Sequence, residues 1–177
     1  MSDALNHSRI LVADDQPDVA RTLCTPLRRA GAMLTFVSNG EEVFTKLEER
    51  PFDLLVVDMK MSPGEWGGLW LLRELREGGW HVPALVLSGE GTKKQTIEAL
   101  RFGAVDWIDK SEAFSELEEH CEAILQHAIS DGLDNAAARL PTPLAHRLAA
   151  YSRAIGTEKQ AFEGQHQTRA PVDRFHN

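Results

Sequence analysis

Two apolar runs in this chain of 177 residues end on carboxylates. Arg9-Ile-Leu-Val-Ala-Asp-Asp closes on Asp14 and Asp15, and Phe52-Asp-Leu-Leu-Val-Val-Asp closes on Asp58. Continuous Val, Leu and Ile runs of this length predict strands buried on both faces of a parallel sheet. In open α/β sheets the chemistry gathers just beyond the carboxyl ends of the strands. Three carboxylates at two such ends would converge on one acidic pocket. Hard oxygen donors of that kind suit Mg²⁺, which takes few protein ligands and keeps several waters. Two further strand ends add polar groups: Pro83-Ala-Leu-Val-Leu-Ser88 ends on a hydroxyl, and Val105-Asp-Trp-Ile-Asp-Lys110 on an ammonium. Acids, a hydroxyl and a cation at neighbouring strand ends suit phosphoryl transfer. Mg²⁺ would neutralise carboxylate and phosphoryl oxygens, Lys110 would act as a point charge, and Ser88 would donate a hydrogen bond. Asp58, on the central strand, is then the carboxylate free to act as nucleophile and become an acyl phosphate.

Each residue alone has an ordinary role: Asp15 as a helix cap, Ser88 as a loop hydroxyl, Lys110 as a solvated strand-end charge. Asp14 has no such role, because a second acid beside the first costs repulsion without a cation. The set of five, spread over four strand ends, is what points to chemistry.

The elements that must hold these ends alternate strand and helix about five times. Strands are predicted at 9–14, 33–38, 52–58, 83–88 and 105–109, with helices at 16–30, 40–50, 67–77, 92–103 and 112–130. That alternation predicts a doubly wound α/β sheet with helices on both faces. Asp15 can cap the first helix, with Pro17 in its first turn. Pro26 is awkward inside that helix and should kink it or cost about 3 kcal/mol. Asn39-Gly40 is a turn before the second helix, whose N-terminus suits Glu41 and Glu42. Gly103 can stop the fourth helix in a left-handed conformation. The fifth presents Phe114, Leu117, Cys121, Ile124, Leu125 and Ala128 on one face and ends at Asp131-Gly132.

Charge is uneven along the chain. Residues 1–130 hold 13 Lys/Arg against 22 Asp/Glu, and residues 131–177 hold 6 against 5. The overall charge of −8 argues against a nucleic-acid surface, and the tail lacks the basic stripe of a DNA reader. Cys24 and Cys121 lack metal or disulfide spacing and sit at apolar helical positions, so they read as buried thiols. Two unpaired Cys, no secretory signal and no membrane-length apolar run point to a reducing cytoplasm. A domain over 1–131 is expected, followed by an extension over 132–177. Within the extension a helix is predicted at 143–155, with a stripe of Leu144, Leu148, Tyr151 and Ile155. Thr157 to Gln160 forms a weak capping box, and the polar sequence from Gly164 onward reads as disordered.

Residues 8–130 resemble the receiver domain of two-component response regulators. The likeness rests on Asp14-Asp15, Asp58, Ser88-Gly89 and the segment Gly103-Ala-Val-Asp-Trp-Ile-Asp-Lys110. It implies a (βα)₅ flavodoxin-like fold, with Asp58 taking a phosphoryl group from a histidine kinase or phosphotransfer protein. It also implies Mg²⁺, with Mn²⁺ as a substitute, held by Asp15, Asp58 and the backbone carbonyl of Lys60, with Asp14 acting through water. Ser88 and Lys110 would read the phosphoryl group, and Ser88 and Trp107 would form the switch. Such a protein is a phosphoacceptor with slow self-dephosphorylation and not an enzyme in the ordinary sense. Homodimers would form through the fourth and fifth helices or through 143–155, without nucleic acid or membrane.

The sequence departs from the family pattern beside Asp58. Ser62 and Trp66 stand where the family usually has Pro and Gly, while Pro63 and Gly68 come later, which reads as a two-residue insertion in the loop 59–68. Ser111 follows Lys110 where Pro is common, and Trp107 is bulkier than the usual aromatic. Lys60 and Glu90 flank the pocket, where they would gate water and tune dephosphorylation. Three other readings follow from these departures and from chain length: a phosphorylation-independent interaction module, an N-terminal fragment of a larger regulator, and, least supported, an aspartyl-nucleophile hydrolase.

Overall fold

Each of the five apolar runs forms a strand: β1 Arg9–Ala13, β2 Met33–Val37, β3 Leu54–Asp58, β4 Ala84–Ser88 and β5 Ala104–Asp109. The computed structural model describes residues 4–89 and 93–134. All strands pair in parallel, in the order β2-β1-β3-β4-β5. This is the expected flavodoxin-like doubly wound order, and β3, which ends on Asp58, is central. Every residue of β3 and β4 is buried. Burying each of their large apolar side chains contributes roughly 1.5–3 kcal/mol.

Among the described residues six helices connect and cover the strands: α1 Pro17–Leu23, α2 Thr25–Arg29, α3 Gly40–Glu49, α4 Gly67–Glu77, α5 Lys93–Arg101 and α6 Ala113–Asp134. The predicted helix over 16–30 is two helices, not one kinked helix. The chain breaks at Cys24, so Pro26 falls in the first turn of α2, where its missing N–H is harmless. Asp15 does not cap α1. Gln16 stands at the N-cap without a side-chain cap, and Asp14 accepts the Gln16 N–H at 2.8 Å. Asn39 caps α3 as its type predicts, accepting from the Glu42 N–H at 2.9 Å. Gly103, at φ +98°, ends the turn after α5.

Strand alternation divides the core in two. Leu11, Leu55, Val57 and Val86 point to the layer of α3 and α4, where they meet Val43, Leu71, Leu72 and Leu75. The opposite phase, with Ile10, Val12, Val56, Leu85 and Ile108, is equally buried. It faces the layer of α1, α2 and α6, with Ala20, Leu27, Leu117, Ile124 and Leu125. Cys24 and Cys121 are buried free thiols, as expected. Burial and the Asp14 charge push the Cys24 thiol up to about 12, and burial raises Cys121 as well. Two positions on α6 correct the predicted apolar face: Phe114 is 58% exposed, and Ala128 is also exposed. The helix backbone continues through Gly132 to Asp134 rather than ending there. The extension with its helix at 143–155, its capping box and its tail lies outside the described residues, as does Glu90.

The loop after β3 is tied down on two sides. Gly40 donates its N–H to the Ser62 carbonyl at 3.0 Å, next to a bridge between Asn39 and Ser62. Gly67 donates to the Met61 carbonyl at 3.0 Å, and Met59 and Met61 are buried. The peptide bond between Ser62 and Pro63 is cis. Gly67 and Gly68 start α4 hard against this loop. A Cβ on Gly68 would lie 2.5 Å from the Asp58 carbonyl oxygen, and one on Gly67 would lie 2.1 Å from that of Met61. Backbone cannot swing aside as a side chain can. Gly68→Ala is therefore expected to destabilise the fold by about 2–3 kcal/mol, as overpacking does. Gly79→Ala, with open space but φ +71°, should lose only about 1–2 kcal/mol. Urea denaturation midpoints of the two variants test the ranking.

Candidate functional site

Asp14, Asp58 and Lys110 each extend the same strand phase by one more residue pair, following Val12, Val56 and Ile108. Parallel register sets those three ends side by side on one face of the sheet's carboxyl edge. The backbone ladder continues past each strand to hold them. Asp14 donates its N–H to the Val37 carbonyl at 3.1 Å, and Lys110 donates to that of Ser88 at 3.0 Å. Met59, just after Asp58, donates to the Leu87 carbonyl at 3.0 Å.

The Lys110 ammonium bridges the two buried carboxylates. Its Nζ lies 2.8 Å from Asp14 Oδ2 and 3.0 Å from Asp58 Oδ2. Asp14 and Asp58 are only 2% and 3% exposed, so these are desolvated pairs and not surface ones. Asp15 is exposed beside them, and one oxygen from each of the three Asp residues lies within 4.8 Å of the others. Ser88 is also buried, and its Oγ makes no hydrogen bond among the described residues. A buried hydroxyl without a partner at the edge of such a cluster is poised for an oxygen-rich guest.

Electrostatics sharpen the picture. Burial pushes the Asp58 carboxyl above its ordinary value, and Asp14 adds to the push. The Lys110 charge and hydrogen bond, with the backbone N–H of Lys60, work against it. Burial disfavours the Lys110 ammonium, but hydrogen bonding to Asp14 and the charges of Asp58 and Asp14 outweigh it, so Lys110 sits above the ordinary lysine value. Three carboxylates facing one ammonium leave net negative charge in a small space. Oxygen donors alone, close together and short of positive charge, fit a hard divalent cation such as Mg²⁺.

Every residue named from sequence at the strand ends is brought to this edge: Asp14, Asp15, Asp58, Ser88 and Lys110. Lys60 reaches the site by its backbone N–H, while its exposed ammonium lies 6.0 Å from the centre of the Trp66 ring. Trp107 does not point there. It is half-buried and packs against the core on the side of α3 and α4. Sequence reasoning missed two supports. Asp109 accepts from the Ser111 N–H at 2.8 Å and from its hydroxyl at 2.7 Å, closing the chain just after Lys110. These bonds hold the Asp109 carboxyl below its ordinary value. The Asp-x-Ser spacing is a signal for such a turn. Buried Asp106 lies on the same face of β5 as Ile108 and pairs with His120 Nδ1 on α6, with Glu116 3.7 Å from the other ring nitrogen. No local pattern marks that pair.

Because Asp58 is harder to ionise in the folded chain than in the unfolded one, its stabilising contribution is complete below the unfolded carboxylate range. It is lost as pH rises through the folded value. Asp58→Asn removes that loss. At pH 7 without divalent ions the variant is expected to be more stable by on the order of 1 kcal/mol. The gain should vanish near pH 4, below which the native carboxyl is neutral in both states. Urea melts at both pH values measure it, and lower stability of the variant at pH 7 contradicts the assignment.

Known proteins resemble this chain. Residues 10–122 match the response regulator receiver domain family. The chain is 34% identical over 120 residues to the two-component response regulator PhoP of Pseudomonas aeruginosa, covering 68% of this chain and 52% of that one. It spans about half the length of that relative and about a quarter of the transcriptional regulatory protein ZraR of Salmonella typhimurium, at 28%. Among solved structures, the receiver domain of the Francisella response regulator 1452 aligns with a TM-score of 0.63 at 25% identity, covering 69% of this chain and 99% of that one. The receiver domain of NtrX from Brucella abortus aligns at 0.61 and 26%, covering 66% and 98%. With its fold, its strand-end residues and this match over most of its described length, the chain belongs to the response regulator receiver family of two-component systems.

Proposed function

We propose that this receiver accepts a phosphoryl group on Asp58, with Mg²⁺, and uses the resulting charge to change which partner it binds. The bridging of Asp14 and Asp58 by Lys110 carries this reading. It supplies a buried carboxylate at a sheet edge, a fixed cation for phosphoryl oxygens, and two more acids for a metal. Asp15, Asp58 and the Lys60 carbonyl would hold the ion, with Asp14 acting through water. The ion supplies charge neutralisation for the approaching phosphoryl group.

The donor is a phosphohistidine on a histidine kinase or phosphotransfer protein. An Asp58 oxygen forms the new bond to phosphorus as the phosphorus–nitrogen bond breaks, and the electron pair returns to the imidazole nitrogen. Lys110 keeps its proton and follows the phosphoryl oxygens as a point charge. Ser88 donates its hydroxyl hydrogen to one of them, which gives that buried oxygen a partner. Water later hydrolyses the acyl phosphate, so the chain is a slowly self-resetting acceptor and not a turnover enzyme. Added charge at Ser88 and Lys110 biases β4 and β5, with Trp107 on β5 reading the change on the opposite layer. The α5-β5-α6 surface, or the extension at 143–155, then pairs two copies or binds an output protein. The work is done in the cytoplasm. No helix among the described residues is long and apolar enough to cross a membrane.

Incubation of the protein with Mg²⁺ and acetyl phosphate is expected to add the mass of one phosphoryl group, mapped to Asp58. Asp58→Asn should show no gain, and chelation of Mg²⁺ should abolish it. A folded protein that gains no mass removes phosphorylation as its mechanism and leaves the interaction module.

A further inference from the structure

The amino edge of the sheet, opposite the acidic cluster, carries a cavity of about 200 Å³. Small residues open it. Ala84 starts β4 and pairs with Ala104 at the start of β5, where the register shifts. The turns before these strands hold Gly79 at φ +71° and Gly103 at φ +98°, and a Cβ on either would meet nothing within 4 Å. Larger side chains make the walls: Leu72 from α4, Trp80 and Val82 from the loop after it, and Phe102 after α5. Trp80 is braced by Phe44, with ring centres 6.2 Å apart, and by its N–H bond to the Leu75 carbonyl at 2.9 Å. The space is therefore bounded by fixed groups and not by mobile side chains.

Its charge runs against that of the chain. The protein carries −8 overall, yet no acid is among the described residues that line the cavity. Arg76 lines it and donates from Nη1 to the Arg101 carbonyl. That bond carries the side chain from α4 to the end of α5, beside Phe102 and Gly103. A guanidinium has five N–H donors, so most of the fork is left for another acceptor. Among the described residues no carboxylate pairs with it, and Glu74, two positions back, is taken by Arg73 at 3.1 Å. His81 adds a ring nitrogen to the same lining.

Size and chemistry together select a ligand. An apolar cavity of roughly 150 Å³ accepts benzene. One of about 200 Å³ has room for such a ring and a carboxylate. Aromatic walls suit a planar ring, and a guanidinium meets a carboxylate with two parallel hydrogen bonds. We propose that this cavity binds a small aromatic carboxylate of benzoate size, its ring against Trp80 and Phe102 and its carboxylate on Arg76. The site is separate from the acidic cluster, because β4 runs from Ala84 at the cavity to Ser88 at the other edge, roughly 13 Å of strand. It stands independently of the reading of Asp58 as acceptor.

Titration of the ¹⁵N-labelled full chain with sodium benzoate, or with benzyl alcohol as its neutral counterpart, tests this by NMR. Benzoate at up to roughly 10 mM, the range expected of so small a ligand, should give saturable shifts at Gly79, Val82, Phe102, Gly103 and the Trp80 indole. Met59 and Gly89, at the far edge, should stay still. Arg76→Met should weaken benzoate by roughly five- to tenfold, the size of one exposed charge-assisted contact, and leave benzyl alcohol within about twofold. Ala84→Val, which fills part of the space, should weaken both probes. Benzoate that shifts no cavity resonance, or shifts the whole surface evenly, overturns the proposal. Wild-type binding of benzyl alcohol as tight as that of benzoate does so too, as does Arg76→Met that affects both probes equally or neither. Should Ala84→Val fail to fold, the exposed substitution Arg76→Met still decides it with the two probes.

Discussion

One ammonium compensates two buried carboxylates, and the rest of the structure depends on that arrangement. Removing a carboxylate from water with no partner costs several kcal/mol, and here Asp14 and Asp58 are both almost fully covered. Lys110 meets both at hydrogen-bonding distance. The three residues stand just past β1, at the end of β3 and just past β5, so the contact exists only if three parallel registers agree. A slip of one residue in any strand would turn its site residue to the opposite face. The apolar runs that build the strands thus also aim the polar residues that follow them.

The compensation is incomplete, and the shortfall supports the proposed chemistry. One positive charge serves three neighbouring carboxylates, with burial and Asp14 holding Asp58 above its ordinary range. A fold selected only for stability would replace one acid by an apolar group of similar size. Retaining the acids leaves a cluster short of positive charge, which the proposed divalent cation would supply. Ser88 Oγ, buried without a partner among the described residues, belongs to the same economy of deferred contacts. Such local losses are tolerable because β3 and β4 are buried along their whole length.

Strand number and the five strand-end residues were legible in the sequence, because buried parallel strands write themselves as unbroken apolar runs, whereas the sheet order followed only from the family resemblance. The polar residue that ends such a run is easy to see. What was not legible depends on contacts between distant segments. Pro26 was read as a defect inside one helix, since the break at Cys24 has no local marker and appears only in the packing of two short helices against α6. Asp15 looked like a cap, yet the backbone turns so that Asp14 takes the Gln16 N–H and Asp15 stays exposed. Phe114 fits the apolar period of α6, but Ala113 takes the buried position in the first turn and turns Phe114 to solvent. The pair of Asp106 and His120 joins residues whose types carry no pattern. The loop after Asp58 was recognised as unusual from its displaced Pro and Gly. Its rigidity rests on carbonyl contacts to Gly40 and Gly67 that only the fold reveals.

β5 shows how a change at the site can reach the surface. Its successive residues serve three places. Lys110, just past its end, meets the acidic cluster, Asp106 pairs with His120 on α6, and Trp107 packs against the core of the opposite layer. The turn of Asp109 and Ser111 fixes the backbone immediately after Lys110, so movement of the ammonium cannot be absorbed in a slack loop. Close-packed interiors pass on displacements of this kind rather than damping them. In the proposed phosphoryl transfer, a shift of Lys110 toward the phosphoryl group would pull on a strand already joined to both helical layers. The bulk of Trp107 makes the coupling stricter, because a large indole in a filled layer moves only if its neighbours move with it. The same strand that neutralises the acids is thus the strand best placed to report that they have been neutralised by something else.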